Sequence, residues 1–325
     1  MDKLFEELIG AFGVSGHEEE VRSVIVEYLN SINVDNSIDT MGNVIASIGK
    51  NKGNDKYMVA AHMDTMGFIV LYIEENGALR IGKIGNFSET SFVNNMVEFE
   101  NGNSGRLCIT KKDGSINDMY IDLGVSSREE ALEIVKEGDV CMVTSNVIEE
   151  EKNILAPALD NRVGCYAALK ALEKLMEKES ELNKEVYFVF STQKKLGARG
   201  VRAAAAAIKP DYALAVDGEL SEDNLEGSGK LPLGKGTGVR FMDKSMLIHY
   251  EVKEQLEKVY ESLGKTPKFI FSEEFSDGKT IHIEGAGTKT GALVYPVRYK
   301  DTNIEMINYK DMEETIDVIY NYIML

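Results

Sequence analysis

Val21, Val24, Ile25, Tyr28 and Leu29 recur at the three-and-four spacing of a helix, so HEEEVRSVIVEYLNSI (17–32) reads as amphipathic, with Ser15 or Gly16 ahead of it as a cap. NVIASI (43–48) follows as an extended segment. YMVAAHM (57–63) is almost wholly apolar, which predicts a strand covered on both faces and ending at His62. From about 69 to 154 the pattern changes to short alternating pieces such as VEFE and RLCITKK, broken by Asn-Gly and Asp-Gly turns, with one helical stretch at SREEALEIVK. This predicts an inserted β-rich domain, 69–154, within a chain whose remaining parts are 1–68 and 155–325. Beyond the insert, helix 160–178, strand 185–191, helix 197–208, strand 211–217, a helix near 245–263, strand 267–272 and helix 310–323 restore the alternation of an α/β domain. The alanine run 203–207 fits an ordinary helix.

Charge narrows the function. The net charge of −18 over 325 residues repels phosphate backbones and anionic lipid, so neither nucleic acid nor a membrane surface is an expected partner. The runs Glu18-Glu19-Glu20 and Glu149-Glu150-Glu151 read as solvated faces. Three widely spaced cysteines without a CxxC argue against a disulfide framework and a thiolate zinc site. The N-terminus MDKLFEELIGAFG lacks the basic and then apolar order of a secretory signal, and no apolar run approaches the roughly 20 residues of a membrane helix. A cytoplasmic location is expected.

Candidate chemistry gathers at the ends of the β segments. In AHMDTMG (61–67), His62 and Asp64 fall on one face of a strand end, where the Asp can accept from one imidazole nitrogen while the other faces a ligand. Asp160 in ALDNRVG stands where a loop enters a helix, and taken alone it reads as an N-cap; Asp217 in AVDGE reads alone as a turn former before Gly218. One His and two Asp at successive strand ends converge in an α/β sheet and make a plausible divalent-metal set. His17, His249 and His282 fall on a helix start, a helix and a strand, outside any motif, and read as structural. Gly13 and Gly16 read as turn formers.

The order of these segments resembles the family of dinuclear metallo-aminopeptidases that includes glutamyl and deblocking aminopeptidases, large tetrahedral peptidases and members labelled endoglucanases. The matches run nearly end to end: GVSGHEEEVR (13–22), DTMGNVIA (39–46), AHMDTMGF (61–68), IDLGVSSREEA (121–131), ALDNRVG (158–164), PDYALAVD (210–217), LGKG (233–236) and RY (298–299). The resemblance implies a zinc-peptidase-like mixed central sheet flanked by helices, a small β-barrel as the insert, and homo-oligomers formed through that insert. It implies one metal at His62, Asp160 and Asp217, and a second sharing Asp160. The second metal's other ligands in the family are the second Glu of a Glu-Glu pair and the histidine of an RYxH motif. Here Lys194-Lys195 replaces the pair, with Lys194 at the general-base position, and RYKD puts Asp301 at the histidine position. Lys289 in TKTGA stands where the family usually has Asp.

Two unit charges about 4 Å apart interact by roughly 4 kcal/mol at an effective dielectric near 20, and an ammonium beside a dication repels about twice as strongly. At most one divalent ion (zinc, cobalt or manganese), or none, is therefore expected. The Lys195 ammonium would stand in for the missing cation by pairing with Asp160 and Asp301; the alternative is that both lysines turn to solvent in a decayed pocket. The catalytic positions carried forward are Asp64 and Lys194. Three readings follow: a non-hydrolytic relative binding peptides or a small molecule; a one-metal hydrolase with Lys194 as neutral base; and, last, a glycosidase, for which no carboxylate pair is singled out and no Trp is present.

Overall fold

The computed structural model describes residues 1–50, 52, 53, 55–225 and 227–325. Helix α1 (Lys3–Gly10), where no element was expected, is capped by Asp2, whose carboxylate accepts from the Leu4 and Phe5 amides. Helix α2 (Glu19–Ser31) follows Glu18, and neither Ser15 nor Gly16 caps it. Next come strands β1 (Asn36–Ile38), β2 (Val44–Ile48) and β3 (Lys56–His62).

The insert is a closed barrel. Its strands are β4 (Gly67–Ile73), β5 (Leu79–Ile84), β6 (Met96–Phe99), β7 (Ser104–Ile109), β8 (Met119–Asp122) and β9 (Val140–Val143), joined in the order β4-β5-β8-β7-β6-β9. Helix α3 (Arg128–Leu132) lies in the helical stretch read from the sequence. Alternation along the strands turns Phe68, Leu79, Phe99, Leu107 and Ile121 into one apolar interior. Closure leaves the barrel no exposed sheet edge.

The chain then leaves the barrel through β10 (Ile148–Glu149) and β11 (Asn153–Ala156). It continues as α4 (Leu159–Met176), β12 (Glu185–Ser191), α5 (Arg199–Ile208), β13 (Tyr212–Leu220), β14 (Gly238–Met242), α6 (Tyr250–Ser262), β15 (Lys268–Phe271), α7 (Gly278–Ile281), β16 (Lys289–Val297), β17 (Glu305–Asn308) and α8 (Tyr309–Met324). Eight strands form the main sheet in the order β1-β2-β12-β3-β13-β16-β14-β15, and β10-β11-β17 form a small second sheet. β12, β3, β13 and β16 run parallel, β2 opposes β1 and β12, and β14 opposes β16 while running parallel to β15, so the sheet is mixed.

Both faces of the centre are covered. Tyr57, Val59 and Ala61 of β3, with Phe188 and Phe190 of β12, pack towards α4 and α8. Met58, Ala60 and Val189 face the alanine-rich α5 instead. This is why β3 reads as a continuous apolar run. β16 escaped the sequence pattern because Gly291 and Pro296 interrupt it; Pro296 pairs with Glu219 near the end of the strand, where a missing amide matters least. His282 follows α7 and is not on a strand, and His249 caps α6.

All three cysteines are free thiols. Burial pushes the Cys165 thiol up to about 12 and Cys141 higher still, whereas Cys108 is half-buried. One thiol, Cys108, is expected to react with an aromatic disulfide reagent in the native protein, and all three after unfolding. Rapid release of a second equivalent from the folded chain would contradict this. Among the described residues, no helix is long and apolar enough to cross a membrane.

Candidate active site

Strand register brings the site together. Ser191 pairs with His62, and Ala215 with Ala60, so Asp217 stands two residues further on, level with His62 and on the same face. The carboxyl ends of β12, β3 and β13 therefore deliver the Lys194-Lys195 turn, His62 and Asp217 to one place. Asp160 arrives from the first turn of α4, whose Asp160–Asn161 peptide is cis. Asp301 follows β16 on a turn in which Tyr299 and Asp301 both have positive φ.

His62, Asp160 and Asp217 each offer a ligand atom within 4.8 Å of the others. His62 Nε2 lies 3.4 Å from Asp217 Oδ1 and 3.7 Å from Asp160 Oδ1. Nε2 and Asp217 Oδ1 are buried and have no hydrogen-bond partner among the described residues. A nitrogen and two carboxylate oxygens in this state fit one divalent cation. Burial and the Lys194 ammonium push the imidazole down, but Asp160, Asp217 and Asp64 outweigh them and lift it to about 10. Proton and cation compete for the same nitrogen.

Asp64 does not serve His62 in the expected way. The imidazole Nδ1 meets the Asp64 backbone carbonyl at 2.9 Å, while the carboxylate stands 3.5 Å off. That carboxylate instead accepts from the amides of Lys194 (2.9 Å) and Lys195 (2.8 Å). The Gln193 amide donates to Glu18 Oε1 at 2.9 Å and the Thr192 amide to Asn43 Oδ1 at 2.9 Å. Four successive amides are thus held by side chains from three other segments. Gly200 lies behind this turn, where a Cβ would come within 2.4 Å of Asn43 Oδ1 and Thr192 Oγ1. Glu18, read from its acidic run as solvated, is only 3% exposed.

Neither lysine points to solvent. Lys195 Nζ donates to Asp160 Oδ2 at 2.7 Å and to Asp301 Oδ1 at 3.0 Å, with the side chain 8% exposed. Burial opposes its charge, but Asp160 and Asp301 raise its pKa above the ordinary lysine range. Lys194 Nζ sits 3.5 Å from Asp217 Oδ1 and 5.9 Å from the centre of the Phe275 ring. Asp160 does not act as a helix cap: its other oxygen accepts from the Gly218 amide at 3.2 Å. Asp217 lies inside β13 and forms no turn. Lys289 is not in the centre. It opens β16 five residues before the level of Asp217, on the order of 16 Å away, and pairs with Glu251 at 2.7 Å.

Several members of the centre carried no motif. Arg240 of β14 forks onto Glu219 at 2.6 and 2.9 Å and reaches Asp217 Oδ2 at 3.6 Å. Glu305 of β17 accepts from the amides of both Asp160 and Asp301, at 2.8 and 2.9 Å. Burial, then Asp160 and Asp301, push its carboxyl up to about 8. Lys300 is buried beside Asp301, and its place in RYKD was the one available signal.

A family model described as M42 glutamyl aminopeptidase matches residues 42–318. The chain is 35% identical to an aminopeptidase-like protein of Acetivibrio thermocellus, over 98% of this chain and 97% of that one. It is 30% identical to the lysyl aminopeptidase of Pyrococcus furiosus, over 97% and 94%. Among solved structures, a TET aminopeptidase from a marine sediment Thaumarchaeota archaeon matches with a TM-score of 0.94 at 26% identity, covering 99% of this chain and 96% of that one. A dodecameric PhTET1-12s structure matches with a TM-score of 0.90 at 27% identity, covering 99% of each chain. With a matched model spanning most of its length and the same barrel-bearing α/β fold, this chain belongs to the M42 glutamyl aminopeptidase family.

Proposed function

We propose that this chain is an M42-family protein that binds peptides or a small-molecule ligand at the charged centre, with hydrolysis lost or impaired. The observation that carries this reading is the Lys195 ammonium lodged between Asp160 and Asp301. An ammonium there leaves no space for a second divalent ion, and the neighbouring Lys194 offers no carboxylate to take a proton from water. His62, Asp160 and Asp217 would hold at most one zinc, cobalt or manganese ion, which when bound would supply Lewis acidity.

The second reading, a one-metal aminopeptidase, is favoured by the orphaned His62 Nε2 and Asp217 Oδ1. One assay separates the two. Purified full-length protein with added zinc, cobalt or manganese is expected to leave aminoacyl chromogenic substrates uncleaved. Turnover at ordinary enzyme rates would overturn the first reading, and turnover unchanged in Lys194→Ala would remove Lys194 as base. Release of reducing sugar from β-glucans, the test for a glycosidase, is not expected.

We also infer self-association through the inserted domain at 69–154, supported by the assembly of the PhTET1 relative into a dodecamer. Three free thiols support a reducing, cytoplasmic setting.

A further inference from the structure

Lys300, the third residue of RYKD, has a side chain only 2% exposed. Its Nζ donates to Glu274 Oε2 and, at 3.2 Å, to Asp301 Oδ2, and it stands 3.3 Å from Asp160 Oδ2. Lys195 takes the complementary positions, 2.7 Å from the same Asp160 oxygen and 3.0 Å from Asp301 Oδ1. Asp301 therefore gives one oxygen to each ammonium, and both ammoniums meet at Asp160 Oδ2. The two carboxylates are held well below the usual carboxylate range: burial raises both, but Lys195 and Lys300 together overcome it. Two carboxylates this close, Asp160 fully buried and Asp301 half-buried, require about two positive charges to remain ionised, and a divalent ion is one way to supply them. Here the same charge is divided between two tethered amines.

We propose that Lys195 and Lys300 act as a pair, a tethered double positive charge that binds Asp160 to Asp301 and closes this half of the centre to divalent cations until both amines are removed. The proposal rests on the reading that position 195 no longer ligates a metal, and not on whether peptide hydrolysis survives. Either amine alone keeps a positive charge against Asp160 Oδ2, so removing one is not enough to admit an ion.

The test is equilibrium dialysis against Mn²⁺ or Zn²⁺, with metal counted by plasma emission, on full-length wild type, Lys195→Gln, Lys300→Gln and the double variant. Wild type and both single variants are expected to bind at most one ion per chain, and the double variant one more than wild type. The double variant is also expected to melt below wild type without metal and to recover on addition of Mn²⁺. If it does not fold, the triple variant that adds Asp301→Asn removes one of the two unbalanced carboxylates; it is expected to fold and to bind no additional ion. A folded double variant with wild-type metal content would overturn the proposal, as would a second ion in the triple variant, in wild type or in either single variant, Lys195→Gln or Lys300→Gln. Hydrolysis by a wild type holding one ion would sink the proposed loss of activity and leave this inference standing.

Discussion

Lys195→Ala is expected to lower the unfolding free energy by about 3–5 kcal/mol, the cost of removing one partner from a buried ion pair. The change would take from Asp160, whose side chain is fully buried, its shortest cationic contact, leaving the Lys300 ammonium at 3.3 Å and the Gly218 amide at 3.2 Å. Asp301 would lose the donor to its Oδ1. The shifts of the partners agree in direction, with the lysine raised and both acids lowered, as a charged pair requires. Removing both sides should cost less than the sum of the parts, so Lys195→Ala with Asp301→Asn forms a double-mutant cycle with a clear sign. Denaturant titration of the four proteins measures it. A loss below about 1 kcal/mol for Lys195→Ala would place the pair with exposed salt bridges and refute a structural role for the buried charge.

Stability should fall as pH rises from about 4 to about 7, through two raised acids that are not themselves metal-type ligands, Glu18 and Asp311. Burial, reinforced by Asp64, raises Glu18 from 4.5 to about 7, although the amides of Gly16 and Gln193 pull it down. Burial raises Asp311 from 3.8 to about 6 against the pull of the Gly234 and Gly236 amides. Within these windows the folded chain keeps protons that the unfolded chain has released, so each rise in pH favours unfolding until the folded pKa is passed. Shifts of this size are worth on the order of 3 kcal/mol for each group. Carboxylates held low, such as Asp301 and Asp223, act the other way: their contribution is present above the ordinary carboxylate range and is lost only in stronger acid. Between pH 5 and 8 the raised acids therefore set the slope. The fall in unfolding free energy between those two values should be smaller in Glu18→Gln and in Asp311→Asn than in wild type, the remainder coming from groups such as Glu305 and His62 that are raised through the same window. Variants as steep as wild type would show that neither acid holds its proton.

How far the sequence revealed this centre depended on whether a residue acts through its position on a periodic element. β3 and β12 were legible because strands buried on both faces must be apolar throughout, and their ends gave His62 and the lysine turn. Asp160, Asp217 and Asp301 were placed by resemblance, since each taken alone looks like a cap, a turn former or an exposed acid. Lys300, Arg240 and Glu305 stayed hidden because their role arises from β16 lying next to β13, β14 next to β16, and β17 against α4, long-range pairings that local patterns do not encode. Glu18 was misread for a related reason. Its acidic neighbours are exposed, and only the return of the chain at Gln193 covers it.

The turn from Thr192 to Lys195 takes its shape from residues 18, 43 and 64, which bind its backbone, while the ends of its two lysines pair with other acids, Asp217, Asp160 and Asp301. Frame and cargo are thereby uncoupled. A lineage can exchange acidic for basic tips on such a mount without re-forming the loop. What the tips do and how the loop is held can then vary separately.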